Sequence, residues 1–138
     1  MEQQSGTADV ATAWLGSAAR VELTVTDADT AQALGSGDVP VLATPRLLAL
    51  AEAATVAATA RKLPPGATTV GTRVELDHRA ATPVGHTVVA EARLSKVDGR
   101  RLMFEFAVRD GAEVVADGRV ERALVDRHRF VERAFGPA

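Results

Sequence analysis

The chain contains no cysteine, and only 4% of its 138 residues are aromatic. Without cysteine there are no disulfides, no thiolate metal sites and no cysteine nucleophile. Such a composition is compatible with a reducing cytosol. No apolar run approaches the roughly 18 residues that a membrane span needs. The start, "MEQQSGTADVATAWLGSAAR", lacks the charged n-region and continuous apolar h-region of a signal peptide. Charge of one sign is missing too: 16 basic residues face 18 acidic ones, for a net charge of -2. That balance gives no electrostatic case for binding nucleic acid, and no charge run suggests a tail. The expectation is a soluble, cytoplasmic protein.

What is present is an ordinary globular composition, 46% hydrophobic and 25% charged. The length suits one domain with one core. Residues 1–19 read as a loosely ordered lead-in in which Trp14 serves only for packing. Residues 20–26, "RVELTVT", alternate as a strand does. The segment "DADTAQALGSGDVP" reads as a loop with a helical turn over Thr30–Leu34. A helix then starts sharply, with Thr44 as N-cap and Pro45 at the first helical position. It runs to about Lys62, where Leu63-Pro64-Pro65-Gly66 stops it. Its faces are Leu, Ala, Val and Thr almost all round, which predicts burial.

Everything after residue 67 predicts antiparallel strands. In Thr68–Ala80, Val70, Thr72, Val74, Leu76, His78 and Ala80 share one face, opposite Gly71, Arg73, Glu75, Asp77 and Arg79. Strands follow over 87–96 and 100–109, joined by the hairpin signal Asp98-Gly99. After Asp110-Gly111 comes a last strand with Val114, Ala116, Gly118, Val120, Arg122 and Leu124 on one parity. The tail, 127–138, is expected to trail or cap the sheet edge. The fold class is α+β: a curled antiparallel sheet of about five strands around one long helix. This is the hotdog arrangement. Its open edges favour edge-to-edge dimerisation.

Three polar residues interrupt the apolar faces: Glu52 on the helix, His78 on the second strand and Arg122 on the last. A buried charge is expensive unless it is paired or used. Each has a plain structural alternative: His78 as a hydrogen-bonded core residue, Glu52 and Arg122 as an ion pair, Thr44 as a cap. Together they fit hydrolysis. A carboxylate can activate water or attack a carbonyl, and a histidine can move a proton to or from the leaving group. The helix start offers backbone N–H donors from Arg46 or Leu47 for an oxyanion. Eight residues separate Thr44 from Glu52, about 12 Å along a helix, so one small site needs a partner chain or loop to join them.

The stretches "VLATPRLLALAEAA", "GTRVELDHRAATPVGHTVVAEARLSKVDGRRLMFEF" and "DGRVERALV" resemble the fluoroacetyl-CoA thioesterase family of hotdog proteins. The resemblance covers roughly Val39 to Val125. It implies an acyl-CoA thioesterase acting as a homodimer, with Thr44, Glu52 and His78 as its catalytic set. Thr44 would bond the substrate or take part in acyl transfer. Glu52 would be nucleophile or general base, and His78 would position water or protonate the departing thiolate. Gly71 and Arg122 match positions near the acyl group. No metal or separate cofactor is implied, since CoA is part of the substrate. One departure stands out: the family's aromatic-rich lid is here "DADTAQALGSGDVPVL", without an aromatic residue. A short-to-medium acyl thioester is therefore expected rather than fluoroacetyl-CoA. CoA and carrier-protein donors both remain open. So does the choice among Arg73, Arg79, Arg100 and Arg101 as contacts for the CoA phosphates. The competing readings are a non-catalytic acyl-CoA sensor on the same fold and a hydratase, which would pair an Asp with a His at the helix start.

Overall fold

The computed structural model describes residues 10–136. Strand β1 (Ala18–Thr24) leads through a 3-10 turn (Asp27–Asp29) and a short helix, α1 (Ala31–Leu34), to the long helix α2 (Thr44–Thr59). Helix α2 tightens into a 3-10 turn over Ala60–Lys62 before the two prolines. Four strands follow: β2 (Ala67–His78), β3 (Thr87–Asp98), β4 (Arg101–Asp110) and β5 (Glu113–Asp126). They form one antiparallel sheet with β1 in the order β1-β3-β4-β5-β2. The hairpins turn on Gly99 and Gly111, both at φ +61°, a backbone conformation that glycine adopts without steric penalty. A last helix, α3 (Arg127–Phe135), continues from β5.

The curled sheet wraps α2 as expected. Leu47, Leu50, Ala51 and Ala54 face Val88, Ala90 and Ala92 of β3, Phe106 and Val108 of β4, and Val115 and Val120 of β5. The alanines let the backbones approach. Each fully buried Leu or Val is worth about 1.5–3 kcal/mol. A second cluster gathers Trp14, Ala58, Leu94, Leu102, Phe104 and Leu124. Within residues 10–19, Ala11 and Trp14 are buried, Trp14 only 5% exposed, while most of the others are exposed. Residues 1–9 of the expected lead-in lie outside the described residues.

Four local expectations change. Ala43, not Thr44, is the N-cap of α2, and it makes no side-chain cap, so the Thr44 hydroxyl is free for other work. Helix α2 is not buried all round: Ala49, Ala53, Val56 and Ala57 form an exposed strip beside the half-exposed Glu52. The tail is helical to Phe135, since Asp126 caps α3 by accepting from the Arg129 N–H at 2.9 Å. Finally, a bulge at Thr72 breaks the alternation of β2. Thr69 and Gly71 therefore point inward ahead of it, and Leu76 and His78 after it. A similar irregularity near Arg109 in the β4–β5 pairing accompanies burial of Val115 together with Ala116. No helix among the described residues is long and apolar enough to cross a membrane.

Candidate active site

The end of β2 delivers His78 to the start of α2. There the Thr44 hydroxyl and His78 Nδ1 share a 2.7 Å hydrogen bond. Burial pushes the His78 imidazole below its ordinary value, against a smaller opposing effect of its backbone hydrogen bond with Ala80. A neutral ring is thereby favoured at pH 7. Its Nε2 is buried and has no hydrogen-bond partner among the described residues. The pair lies in an open cleft of about 350 Å³ walled by Val39, Val41, Ala43, Ala80 and Ala81. Among the described residues no Phe, Tyr or Trp lines this cleft. Of the two backbone donors expected at the helix start, Leu47 N–H is spent on the Ala43 carbonyl at 3.0 Å, which leaves Arg46.

Two turns along α2, Glu52 Oε2 lies 3.6 Å from Arg122 Nη1. Arg122 is 7% exposed. Its Nε donates to Thr69 Oγ1 at 2.9 Å and its Nη2 to the Thr69 carbonyl at 3.0 Å. Two of the three guanidinium nitrogens are thus fixed, and the third is aimed at the carboxylate. Burial pushes Arg122 down, and the Glu52 charge pulls it back up. At 3.6 Å the pair is held by charge rather than by a hydrogen bond, so the Glu52 oxygen stays available to another donor. Gly71 makes room for it: a Cβ there would lie 2.8 Å from Glu52 Oε2 and 3.5 Å from Arg122 Nη1.

The five residues anticipated from the sequence thus fall into two groups, Thr44 with His78, and Glu52 with Gly71 and Arg122. No hydrogen bond or ion pair joins the two groups among the described residues. Asp77 is exposed on the other face of β2, 3.6 Å from Arg79, so no Asp–His pair of the hydratase kind stands at the helix start. Among the described residues no cluster of three or more His, Asp and Glu side chains is arranged to hold a metal ion.

Two supporting elements escaped the sequence reading. Thr69 was hidden by the bulge, which reversed its parity. Asp29 is the other. Its Oδ2 accepts from Thr26 N at 2.8 Å and Thr26 Oγ1 at 2.9 Å, and its Oδ1 from Arg46 Nε at 3.0 Å. Its carbonyl accepts from Ala43 N at 2.9 Å. Asp29 therefore clasps the loop before α2 to the turn that carries Thr44. The Thr26-x-x-Asp29 spacing, close to a capping box, was the available signal.

Comparison with known proteins shows the family and the fold. The family model described as "Fluoroacetyl-CoA-specific thioesterase" matches residues 25–128. The chain is 40% identical over 90 residues to the fluoroacetyl-CoA thioesterase of Streptantibioticus cattleyicolor, a match covering 65% of each protein's length. A crystal structure of the fluoroacetyl-CoA thioesterase FlK superposes with a TM-score of 0.81 at 31% identity, covering 89% of this chain and 97% of that one. A thioesterase superfamily member from Thermus thermophilus gives a TM-score of 0.80 at 28% identity, over 88% and 89% of the two chains. With its sheet, its central helix and its two polar groups in place, this chain belongs to the fluoroacetyl-CoA-specific thioesterase family of hotdog proteins.

Proposed function

We propose that this protein is an acyl-CoA thioesterase that works as a homodimer on short-to-medium acyl groups, without a preference for fluoroacetyl-CoA. The observation that carries the reading is Glu52, a carboxylate in an apolar helix, faced by a buried arginine and given room by Gly71. A group so placed suits attack on a thioester carbonyl or activation of water. Arg122 supports charge that develops beside it. Thr44 binds the substrate or takes part in acyl transfer, and the neutral His78 orients water, or takes up a proton released as water attacks and passes it to the departing thiolate. CoA enters as part of the substrate, and the chemistry calls for no separate cofactor. The cytoplasm is the proposed compartment.

Two features support the dimer. Among the described residues strand β2 pairs only with β5, and the exposed Ala49–Ala57 strip beside Glu52 is small and apolar. A second copy seated on both would join the Thr44–His78 group of one protomer to the Glu52–Arg122 group of the other. The acyl preference rests on a cleft lined by no Phe, Tyr or Trp among the described residues: small aliphatic walls accept a chain and offer nothing tuned to a carbon–fluorine bond.

The test is thiol release from acetyl-, fluoroacetyl-, butyryl-, hexanoyl- and phenylacetyl-CoA, with Glu52→Gln alongside. Turnover of one or more substrates, lost in the variant, is the expected result. Equal turnover by both proteins would reduce Glu52 to a structural residue. A kcat/KM for fluoroacetyl-CoA far above all the others would sink the proposed preference.

A further inference from the structure

Arginine donates two parallel hydrogen bonds along one edge of its guanidinium, from Nε and Nη2, and a carboxylate matches that edge. Two exposed arginines use it so. Arg79 sets the edge on Asp117, with Nε at 3.2 Å and Nη2 at 2.9 Å. Arg101 sets it on Glu121, with both nitrogens at 3.1 Å. Arg122 departs from this pattern. Its Nε–Nη2 edge meets no acid but two oxygens of one neutral residue, the Thr69 hydroxyl at 2.9 Å and the Thr69 carbonyl at 3.0 Å. The partners differ in effect as well. Hydrogen bonding to a carboxylate pushes Arg79 and Arg101 above the ordinary arginine value, whereas burial pushes Arg122 below it. A buried charge clamped by neutral oxygens is left uncompensated except through its remaining nitrogen. That nitrogen, Nη1, faces Glu52 at 3.6 Å and makes no hydrogen bond among the described residues.

The strand register explains how Thr69 comes to hold this edge. Gly71 of β2 stands directly opposite Arg122 of β5, and Thr69 stands opposite Leu124. Thr69 is therefore the diagonal neighbour of Arg122 on the inner face, within reach of a long side chain. It is buried there, 9% exposed. We propose that Thr69 is a positioning residue: it grips the Arg122 guanidinium without neutralising it, and so directs an uncompensated positive charge at Glu52. The inference rests on the thioesterase reading. In that reaction charge moves between the Glu52 carboxylate and the reacting group, and a cation already fixed beside them acts on that charge without reorganising. Two bonds to one residue hold the plane of the guanidinium as well as its place, whereas a single bond lets it pivot. An acid at position 69 would hold the same edge but draw the charge away from Glu52. A neutral residue with both a hydroxyl and a carbonyl in reach avoids that competition.

The experiment compares wild type with Thr69→Val, Thr69→Ser and Thr69→Asp. Thermal melts fix a temperature at which each protein is folded, and kcat and KM are then measured by thiol release from the acyl-CoA turned over best. Thr69→Val keeps the volume and the carbonyl but loses the hydroxyl. Its kcat should fall about ten-fold, the effect of one hydrogen bond to a charged group, with KM level. Thr69→Ser keeps the hydroxyl and should stay within two-fold of wild type. Thr69→Asp should be as slow as Thr69→Val although it retains an acceptor for Nε. A Thr69→Val enzyme with the kcat of wild type overturns the proposal, as does a loss confined to KM. So does a Thr69→Ser enzyme as slow as Thr69→Val, or a fully active Thr69→Asp. If Thr69→Val does not fold, Thr69→Asp against Thr69→Ser makes the same comparison. If wild type releases no thiol from any acyl-CoA, the thioesterase reading fails by itself, and NMR decides the role of Thr69. The carboxyl ¹³C signal of Glu52 should move in Thr69→Val and return in Thr69→Ser; a signal that stays in place in Thr69→Val overturns the proposal.

Discussion

Gly71→Ala isolates the placement of Glu52 from its chemistry. The backbone at Gly71 is not in the left-handed region, so alanine brings no conformational strain there. What alanine brings is one methyl group, 2.8 Å from Glu52 Oε2 and 3.5 Å from Arg122 Nη1. The carboxylate must retreat by roughly half an ångström to reach ordinary van der Waals contact. It is the free end of a flexible side chain, half-exposed, so the fold absorbs the move easily. Arg122 stays anchored through Thr69. Stability should therefore change by less than about 1 kcal/mol, a shift in Tm of a few degrees for a domain of this size. Activity should change far more, since misplacing a reacting group by an ångström can cost about a hundred-fold. For half that distance, kcat/KM should fall about 10- to 100-fold. The assay is thiol release together with a thermal melt. In a Glu52→Gln background the same methyl group should have almost no further effect on turnover, because two changes that act through one group are not additive. A Gly71→Ala enzyme within two-fold of wild type would show that the position of Glu52 does not set the rate. A fall in the Glu52→Gln background as large as in wild type would show that the methyl group acts elsewhere.

Three further outcomes are expected. Because burial holds His78 below its ordinary 6.5, kcat/KM should rise with pH through an apparent pKa under 6.5 and level off above it; the unfolded chain binds this proton more tightly, so stability should also rise with pH across that window, and a midpoint above 7 would contradict the geometry. Trp14→Ala should lower stability by about 3–5 kcal/mol, the usual effect of truncating a large buried aromatic, seen as an early denaturant midpoint; a change under 1 kcal/mol would mean that residues 10–19 add little to the second core. Asp29→Ala removes the acceptor of three hydrogen bonds and should cost about 1–3 kcal/mol while slowing turnover, since the turn that carries Thr44 loses its clasp. Unaltered turnover in a destabilised Asp29→Ala protein would confine Asp29 to folding.

The elements were legible because their signals are local. Pro45 and the Pro64-Pro65 pair bracket α2, and Asp98-Gly99 and Asp110-Gly111 place two hairpins. Period-two alternation marks β3 and β4. Glu52, His78 and Arg122 announced themselves as polar residues on apolar faces. What the sequence concealed were properties set by neighbours. The exposed strip of α2 looks as apolar as its buried side, since alanine suits both. Thr44 has the composition of a cap, yet the chain enters the helix one residue earlier, and His78 takes the hydroxyl.

The bulge at Thr72 shows why such a site resists periodic reading. Strict alternation from Val70 to His78 put Gly71 on the outer face with Arg73, a position from which it could have nothing to do with Glu52. One extra residue in β2 reverses that parity for the first half of the strand and leaves the second half intact. Without the bulge, His78 and Gly71 could not both face α2, because seven residues separate them and alternation puts positions an odd number apart on opposite faces. The irregularity that hides Gly71 is therefore what allows one strand to serve both groups. Its His78 end supports Thr44, and its Thr69–Gly71 end holds Arg122 and accommodates Glu52. Bulges of this kind commonly re-aim side chains beside functional sites. Deleting Thr72 would bring Gly71 and His78 to an even separation, so both should still face α2 in a regular strand and turnover should survive; loss of turnover in a folded variant would show that the bulge does more than reset the parity.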